Sequence, residues 1–312
     1  MACKRFAIPV ISPFRMDLTV WALRRRQKNI IDQWDGNRYI RVIVCNNVPI
    51  KLTITQEFEN NNSKIIVVLQ SKNEITPRIQ KSALSLIRNM LGLTVDLQPF
   101  YVLANDNEYL DRLVKQFAGV RPPCFPSIFE SLINAIACQQ LTLDSCILLL
   151  NRLAERFGVE FKDDDTILYA FPRPEDLTGA SQEDIRKLGF SNQKARAIKE
   201  LATKVIANSI DLARLKEMGN KEVIEYLLTL RGIGRWSAEY VLLRGLRRLD
   251  TFPADDVGAR NNLQRLLHLN EKPNYEEIKE LTSQWYPYEG LVYFHLLLEN
   301  LHMKGSINEI SS

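Results

Sequence analysis

The stretch Leu230-Arg231-Gly232-Ile233-Gly234-Arg235-Trp236-Ser237-Ala238 decides how the rest of the chain is read. A helix-periodic segment over 221–230 stops at it, and another over 237–248 starts from it. Its two glycines flank one aliphatic residue. Glycine at both places allows left-handed backbone and close approach by a second backbone. Ile233 between them would anchor the turn in the core. The amides of Gly234 and its successors would then stand at a helix N-terminus, where unpaired N–H groups and the helix dipole favour an anion such as phosphate. The pattern is a helix–hairpin–helix over 222–246, a device that grips nucleic-acid backbone without reading sequence. A plain helical corner with glycine caps uses the same letters. For a bare Gly-Ile-Gly the two readings stand level.

Charge separates them. The 312 residues hold 41 Lys and Arg against 37 Asp and Glu, a formal net charge of +4. Between Arg231 and Arg248 there are five arginines and one acid, Glu239, so this segment carries the whole surplus. Base concentrated beside a phosphate-suited turn is the main source of non-specific DNA affinity. A solvated charged face is the bland alternative.

Downstream lies Thr251-Phe252-Pro253-Ala254-Asp255-Asp256-Val257-Gly258-Ala259-Arg260. A proline turn delivers two adjacent carboxylates to a helix start. One aspartate there is ordinarily a cap. Residue physics alone therefore reaches a DNA-backbone binder with a carboxylate near the DNA.

Outward from the hairpin, helix-period apolar stripes run in both directions. They cover Ile128–Ile136, Ile147–Phe157, Ser181–Leu188, Asn192–Ala207, Val257–His268, Asn274–Trp285 and Glu289–His302. The first hundred residues differ. Arg38–Cys45 and Val48–Gln56 are β-branched runs separated by Asn46-Asn47, a hairpin signal. Lys64–Gln70 is a third strand after a polar Glu57–Ser63 turn. Val20–Arg26 reads as a short helix, and Pro77–Leu91 as a longer one with proline in its first turn. The chain is expected to be mainly α with a small α+β N-terminal domain. That domain, 1–105, carries antiparallel strands, and 106–312 is an all-α region of about nine helices in two subdomains.

Composition excludes other classes. Apolar residues make up 46% and charged residues 25%, ordinary for a globular chain and unlike disorder or collagen. No apolar run approaches the ~18 residues of a membrane helix. Met1–Met16 lacks a signal-peptide core. The five cysteines, Cys3, Cys45, Cys124, Cys138 and Cys146, form no Cys-x-x-Cys pair and read as free thiols of a reducing compartment. An intracellular protein is expected: cytoplasm and nucleoid in a prokaryote, nucleus in a eukaryote. The three histidines have no metal-ligand spacing. His295 reads as a pocket-lining residue or as a satisfied buried one. Asp163-Asp164-Asp165 reads as a solvated connection, and Arg24-Arg25-Arg26 with Lys28 as a solvated basic face or an auxiliary DNA contact.

Several segments together resemble the helix–hairpin–helix DNA glycosylases, and within them the bacterial AlkA-type DNA-3-methyladenine glycosylase II. Phe129–Thr142 resembles the family's helix ending in a Gln-rich turn. Ala170–Leu177 resembles its Phe-Pro linker, and Leu188-Gly189-Phe190 with Lys194–Ile198 its next helix pair. The hairpin and the aspartate loop follow at the family's spacing, and the likeness covers roughly 110–303. It implies that Asp256 is the catalytic aspartate and Asp255 its non-catalytic neighbour. It also implies that Trp236 and Tyr240 line the base pocket, that Gln140 or Leu141 is the wedge filling the gap in the duplex, and that Gly232, Gly234 and Arg235 bind phosphate. Carbonyls of Leu228, Arg231 and Ile233 would hold a monovalent cation; no other cofactor is implied. The lysine of bifunctional members is replaced by Trp236, so no lyase activity is expected. No cysteine follows Cys146, so an iron–sulfur cluster is not expected either. Leu297 stands where the family has a stacking tryptophan, which leaves Trp236, Tyr240, Tyr288 or a neighbour of Tyr288 to stack on the base.

The activity implied is that of a monomeric, monofunctional glycosylase of base excision repair. It would remove 3-methyladenine, 7-methylguanine and similar alkylated purines from duplex DNA. The alternatives are a glycosylase for oxidised or deaminated bases such as 8-oxoguanine and hypoxanthine, and a non-catalytic damaged-DNA-binding protein.

Overall fold

The computed structural model of the chain describes residues 1–59, 62–164 and 166–307. Five strands form one antiparallel sheet: β1 (Ala2–Val10), β2 (Gln33–Trp34), β3 (Arg38–Cys45), β4 (Val48–Glu59) and β5 (Asn62–Ser71), in the order β1-β5-β4-β3-β2. The β3–β4 turn is Asn46-Asn47, both with positive φ (50° and 61°). That conformation matches the twist of a two-residue hairpin, and asparagine tolerates it. β1 is absent from the sequence reading because Lys4, Arg5 and Pro9 mask its alternation. It survives as an edge strand, where proline is tolerated.

A second, two-stranded hairpin, β6 (Glu160–Asp163) with β7 (Thr166–Tyr169), occupies the segment read as a solvated connection. Asp163 there pairs with Lys51 Nζ at 2.5 Å. Asp165, like Asn60 and Asn61 of the expected Glu57–Ser63 turn, lies outside the described residues.

Thirteen α-helices follow the apolar periodicity among the described residues. In the N-terminal part they are α1 (Met16–Arg24), α2 (Pro77–Met90), α3 (Gln98–Asn105) and α4 (Leu110–Gln116). The middle holds α5 (Ile128–Cys138), α6 (Leu143–Phe157), α7 (Gln182–Lys187), α8 (Asn192–Ile206) and α9 (Asn220–Leu228). The last four are α10 (Arg235–Leu246), α11 (Val257–Leu266), α12 (Tyr275–Ser283) and α13 (Glu289–Met303). Side-chain caps set many starts. Thr76, Ser127, Thr142, Ser191 and Asn274 each accept an N–H of the first turn that the helix cannot satisfy.

Two apolar cores result. One joins the sheet (Ile50, Leu52, Val67) to α5–α10 through Leu132, Ile133 and Val241. The other joins α1 to α3, α4 and α11–α13 through Leu18, Phe100, Trp285 and Phe294. α10 serves both, with Val241 in the first and Leu243 in the second, and is buried from Ser237 to Arg244 for that reason. Residues 1–105 thus contribute to both cores. A buried ion cluster adds to the junction. Arg41 of β3 meets Asp32 at 2.5 Å and Glu130 of α5 at 2.6 Å, and Tyr39 donates to Asp32 at 2.6 Å. Pairing of this kind offsets the cost of taking the charges out of water.

The cysteines depart from the reading as free thiols. Cys138 and Cys146 are joined in a disulfide, their Cα atoms 4.9 Å apart, while Cys3, Cys45 and Cys124 are free. The turn from α5 to α6, with Gln140 at φ 53°, brings the last residue of one helix onto the first turn of the next. A separation of eight residues matches no motif, so only the turn reveals the pair.

Candidate active site

The two-core arrangement places the hairpin, the aspartate loop and the Gln-rich turn on one side of α10. Asp256 is the N-cap of α11: its Oδ1 accepts the Ala259 N–H at 2.9 Å. Its Oδ2 accepts from the Trp236 indole N–H and from the Tyr293 hydroxyl, both at 3.2 Å. Burial first, and the Asp256 carboxylate second, push the Tyr293 phenol well above its ordinary range, so it stays a neutral donor. The loop is fastened from beneath by Glu239, which accepts the Ala254 N–H at 3.1 Å and the Tyr275 hydroxyl at 2.8 Å. Asp255 also lines the cavity beside Asp256, but its carboxylate accepts from Arg235 Nε at 2.8 Å.

A cavity of about 560 Å³ opens beside Asp256. Of the residues singled out from the sequence, Trp236, Tyr240, Leu297, Gln140 and Leu141 line it with Asp256. The Trp236 and Tyr240 rings lie 5.3 Å apart, tilted by 35°. Tyr288 is not in the lining. Its ring packs on Phe100 at 5.9 Å in the second core, and Tyr293, one turn along α13, lines the cavity instead. His295 is buried rather than lining: its Nδ1 contacts the Leu291 carbonyl at 2.8 Å, and burial lowers its pKa to about 4.

The sequence reading missed Arg25. It is 5% exposed, lines the cavity, and donates to the Tyr240 hydroxyl at 2.9 Å and to Asn134 Oδ1 at 2.8 Å. The expected solvated face at Arg24–Arg26 is therefore corrected for two of its residues. Arg24 is also buried and donates to the carbonyls of Trp34 and Gln27. Arg25 is the C-cap of α1 at φ 62°, and its guanidinium lies against α5 and α10. The letters of Arg25 gave no sign of burial, because its partners Asn134 and Tyr240 lie 109 and 215 positions away.

The arginine stripe is likewise dispersed. Arg231 pairs with Glu200 and Arg235 with Asp255, both at 2.8 Å. Arg244 is fully buried and donates to the carbonyls of Ala22 and Leu23, with its charge over the rings of Phe125, Tyr240 and Phe294. Arg247 and Arg248 stand at the far end of α10 from the hairpin. Successive residues of one helix point around its axis, so a run of arginines in sequence is not a patch in space.

At the hairpin, Gly232 has φ 76°, and a Cβ there would stand 2.8 Å from Ala197 Cβ. Gly234 differs from the expectation. Its φ of −106° suits any residue, and an added Cβ would meet nothing within 4 Å. Glycine there leaves open space in front of the first turn of α10, which carries no side-chain cap. The carbonyls of Leu228, Arg231 and Ile233 accept no backbone hydrogen bond from this turn among the described residues. The same residues contain no group of three His, Cys, Asp or Glu side chains placed to hold a metal.

The Gln-rich turn is braced at one end. Gln139 donates to the Gly232 carbonyl at 2.6 Å and to Ser237 Oγ at 2.8 Å, and Lys194 Nζ donates to the Gln139 carbonyl at 2.7 Å. Gln140 and Leu141 beyond it are exposed.

Known proteins are similar to this chain in sequence and fold. A DNA-3-methyladenine glycosylase of Bacillus subtilis is 26% identical over 283 residues, covering 91% of this chain and 93% of its own. The solved 3-methyladenine DNA glycosylase from Archaeoglobus fulgidus superposes with a TM-score of 0.82 at 26% identity, over 95% of this chain and 99% of that one. The solved 3-methyladenine DNA glycosylase of Schizosaccharomyces pombe, in complex with abasic DNA, gives a TM-score of 0.55 at 27% identity, over 67% and 97%. No helix among the described residues is long and apolar enough to cross a membrane. The family model for the HhH-GPD superfamily base excision DNA repair proteins matches residues 133–288, half of the chain and the part that holds the hairpin, the Gln-rich turn and Asp256, and the chain belongs to that superfamily.

Proposed function

We propose that this protein is a monofunctional DNA glycosylase that extrudes alkylated purines from duplex DNA and hydrolyses their N-glycosidic bond. The observation that carries the reading is Asp256, fixed by three donors at the edge of a 560 Å³ cavity that also holds two adjacent aromatic rings. The target base must leave the stack, because its C1′ is shielded inside a duplex. Gln140 or Leu141 fills the gap it leaves. The uncapped first turn of α10 binds a phosphate beside the lesion, and the carbonyls of Leu228, Arg231 and Ile233 would hold a monovalent cation there. The extruded base lies against Trp236 and Tyr240. A cationic methylpurine gains ~0.5–2 kcal/mol per ring from cation–π attraction over a neutral base.

Such a base is already a good leaving group. As the bond to C1′ breaks, positive charge grows on the sugar, and the Asp256 carboxylate stabilises it while water attacks C1′. With Trp236 at the hairpin position that would otherwise supply a nucleophilic lysine, no Schiff base forms and the strand is not cut. A second reading is favoured by Arg25. A guanidinium in the cavity opposes a cationic base and offers a donor to the carbonyl of a neutral one such as hypoxanthine.

Base release from duplexes bearing methylated purines, hypoxanthine or 8-oxoguanine separates the two. Asp256→Asn should lower release by about 10²–10³-fold or more. Asp255→Asn, which removes the charge that pairs with Arg235, should stay within a few-fold of wild type. Release by Asp256→Asn at the wild-type rate would remove the catalytic assignment, and no release by wild type from any of these duplexes would favour a damage-binding protein.

A further inference from the structure

We propose that the cleft between α2 and the C-terminal end of α10 binds a small oligophosphate anion, at a site separate from the DNA hairpin. The cleft encloses about 910 Å³, within the range of small-molecule sites. Lys81, Lys216, Arg247 and Arg248 line it, and no Asp or Glu does. Among the described residues none of these four cations has a carboxylate partner. Elsewhere some arginines are neutralised by acids, as at Glu200, Asp255, Asp176 and Glu130, and others rest on main-chain carbonyls, as Arg24 and Arg244 do. Gathering four like charges without an acid is unfavourable unless an anion joins them.

Two of the four are held in place before any ligand arrives. Arg247 donates Nε to the Pro122 carbonyl at 3.2 Å and Nη1 to Asn89 Oδ1 at 3.1 Å. Its Nη2 is buried without a hydrogen-bond partner. Arg248 donates to the carbonyls of Lys216 and Met218 at 3.1 and 2.9 Å. Capping the carbonyl end of α10 would account for two arginines there. It does not account for Lys81, on a different helix, or for Lys216, whose ammonium makes no hydrogen bond among the described residues. Arg248 Nε and Nη1 make no hydrogen bond among the described residues, so that guanidinium with the two mobile ammonium groups suits a chain of phosphates, while Arg247 adds fixed charge behind them.

The ligand is not the phosphate at the hairpin. α10 has 12 residues, so its two ends lie about 18 Å apart at 1.5 Å per residue. The hairpin occupies one end and the cleft the other.

Calorimetric titration of the full chain with inorganic triphosphate at low ionic strength tests this. Saturable one-to-one binding is expected, about tenfold or more weaker in Lys81→Glu/Lys216→Glu. Both side chains are exposed, so this variant should keep the wild-type thermal transition and DNA affinity. Lys81→Gln/Lys216→Gln should show an intermediate loss. Triphosphate affinity should persist in Gly234→Leu and with saturating duplex DNA. Equal affinity for ATP would assign the phosphate chain as the recognised group, and a tenfold gain would assign a nucleotide. No saturable binding, equal binding by the charge-reversed variant, or loss of binding in Gly234→Leu or on adding duplex would overturn the proposal.

Discussion

His295 illustrates how a single residue acquires a property that its letter does not carry. It sits in α13 at 1% exposure against the Phe100 ring, with Nε2 unpartnered. Burial penalises its charged form and lowers its pKa to about 4, against an ordinary 6.5. Above pH 6.5 both folded and unfolded chains hold it neutral, and its contribution to stability is fully present. As pH falls toward 4 the unfolded chain binds a proton that the folded chain refuses, and about 3 kcal/mol is lost. His295→Leu should therefore flatten the acid side of the stability profile by that amount, read from urea unfolding between pH 7 and 4. A slope equal to wild type would mean that His295 is charged in the folded chain. Asp256, Trp236 and Tyr240 were legible as residues because each belongs to a local motif. Arg25 and Tyr293 were not, because their roles arise from partners far away in sequence.

Elements were legible where the physics that forms them is local. The ends of α2, α5 and α8 follow caps and periodicity, and β3–β4 follows its Asn-Asn turn. β1 and the β6–β7 hairpin were hidden, since their formation depends on a partner strand rather than on alternation. The Gln-rich turn shows the same dependence. Its Cys138–Cys146 bond closes an eight-residue separation around Gln140 and Leu141. Reduction, or Cys146→Ser, should cost about 2–3 kcal/mol by restoring freedom to the unfolded chain. Urea unfolding with and without dithiothreitol measures it: wild type should shift and Cys146→Ser should not. An unchanged wild-type midpoint would show that the two thiols are not bonded in solution.

At the scale of the molecule, α10 is the common wall of two cores, and both cores take residues from the first 105 positions. A chain beginning at 106 would expose the Ile133 and Val241 face to water and strip Arg25 from the cavity. It should show no cooperative urea transition by circular dichroism; a sharp transition would mean that the helical region is independent of the sheet. The sequence by itself determined most of the helices, the hairpin, the acidic loop and the position of the surplus charge, because periodicity, caps and glycine turns act within a few residues; it missed α3 and α4 and set α1 at Val20–Arg26 where the helix is Met16–Arg24. Only the tertiary structure decided where that charge goes. Five arginines within 231–248 are sent to separate places: ion pairs at the hairpin end, a buried stack in the last turn of α10, and a cleft just beyond it. The reason is geometric, since a helix turns its side chains through every direction and its neighbours determine which of them are buried, paired or left open.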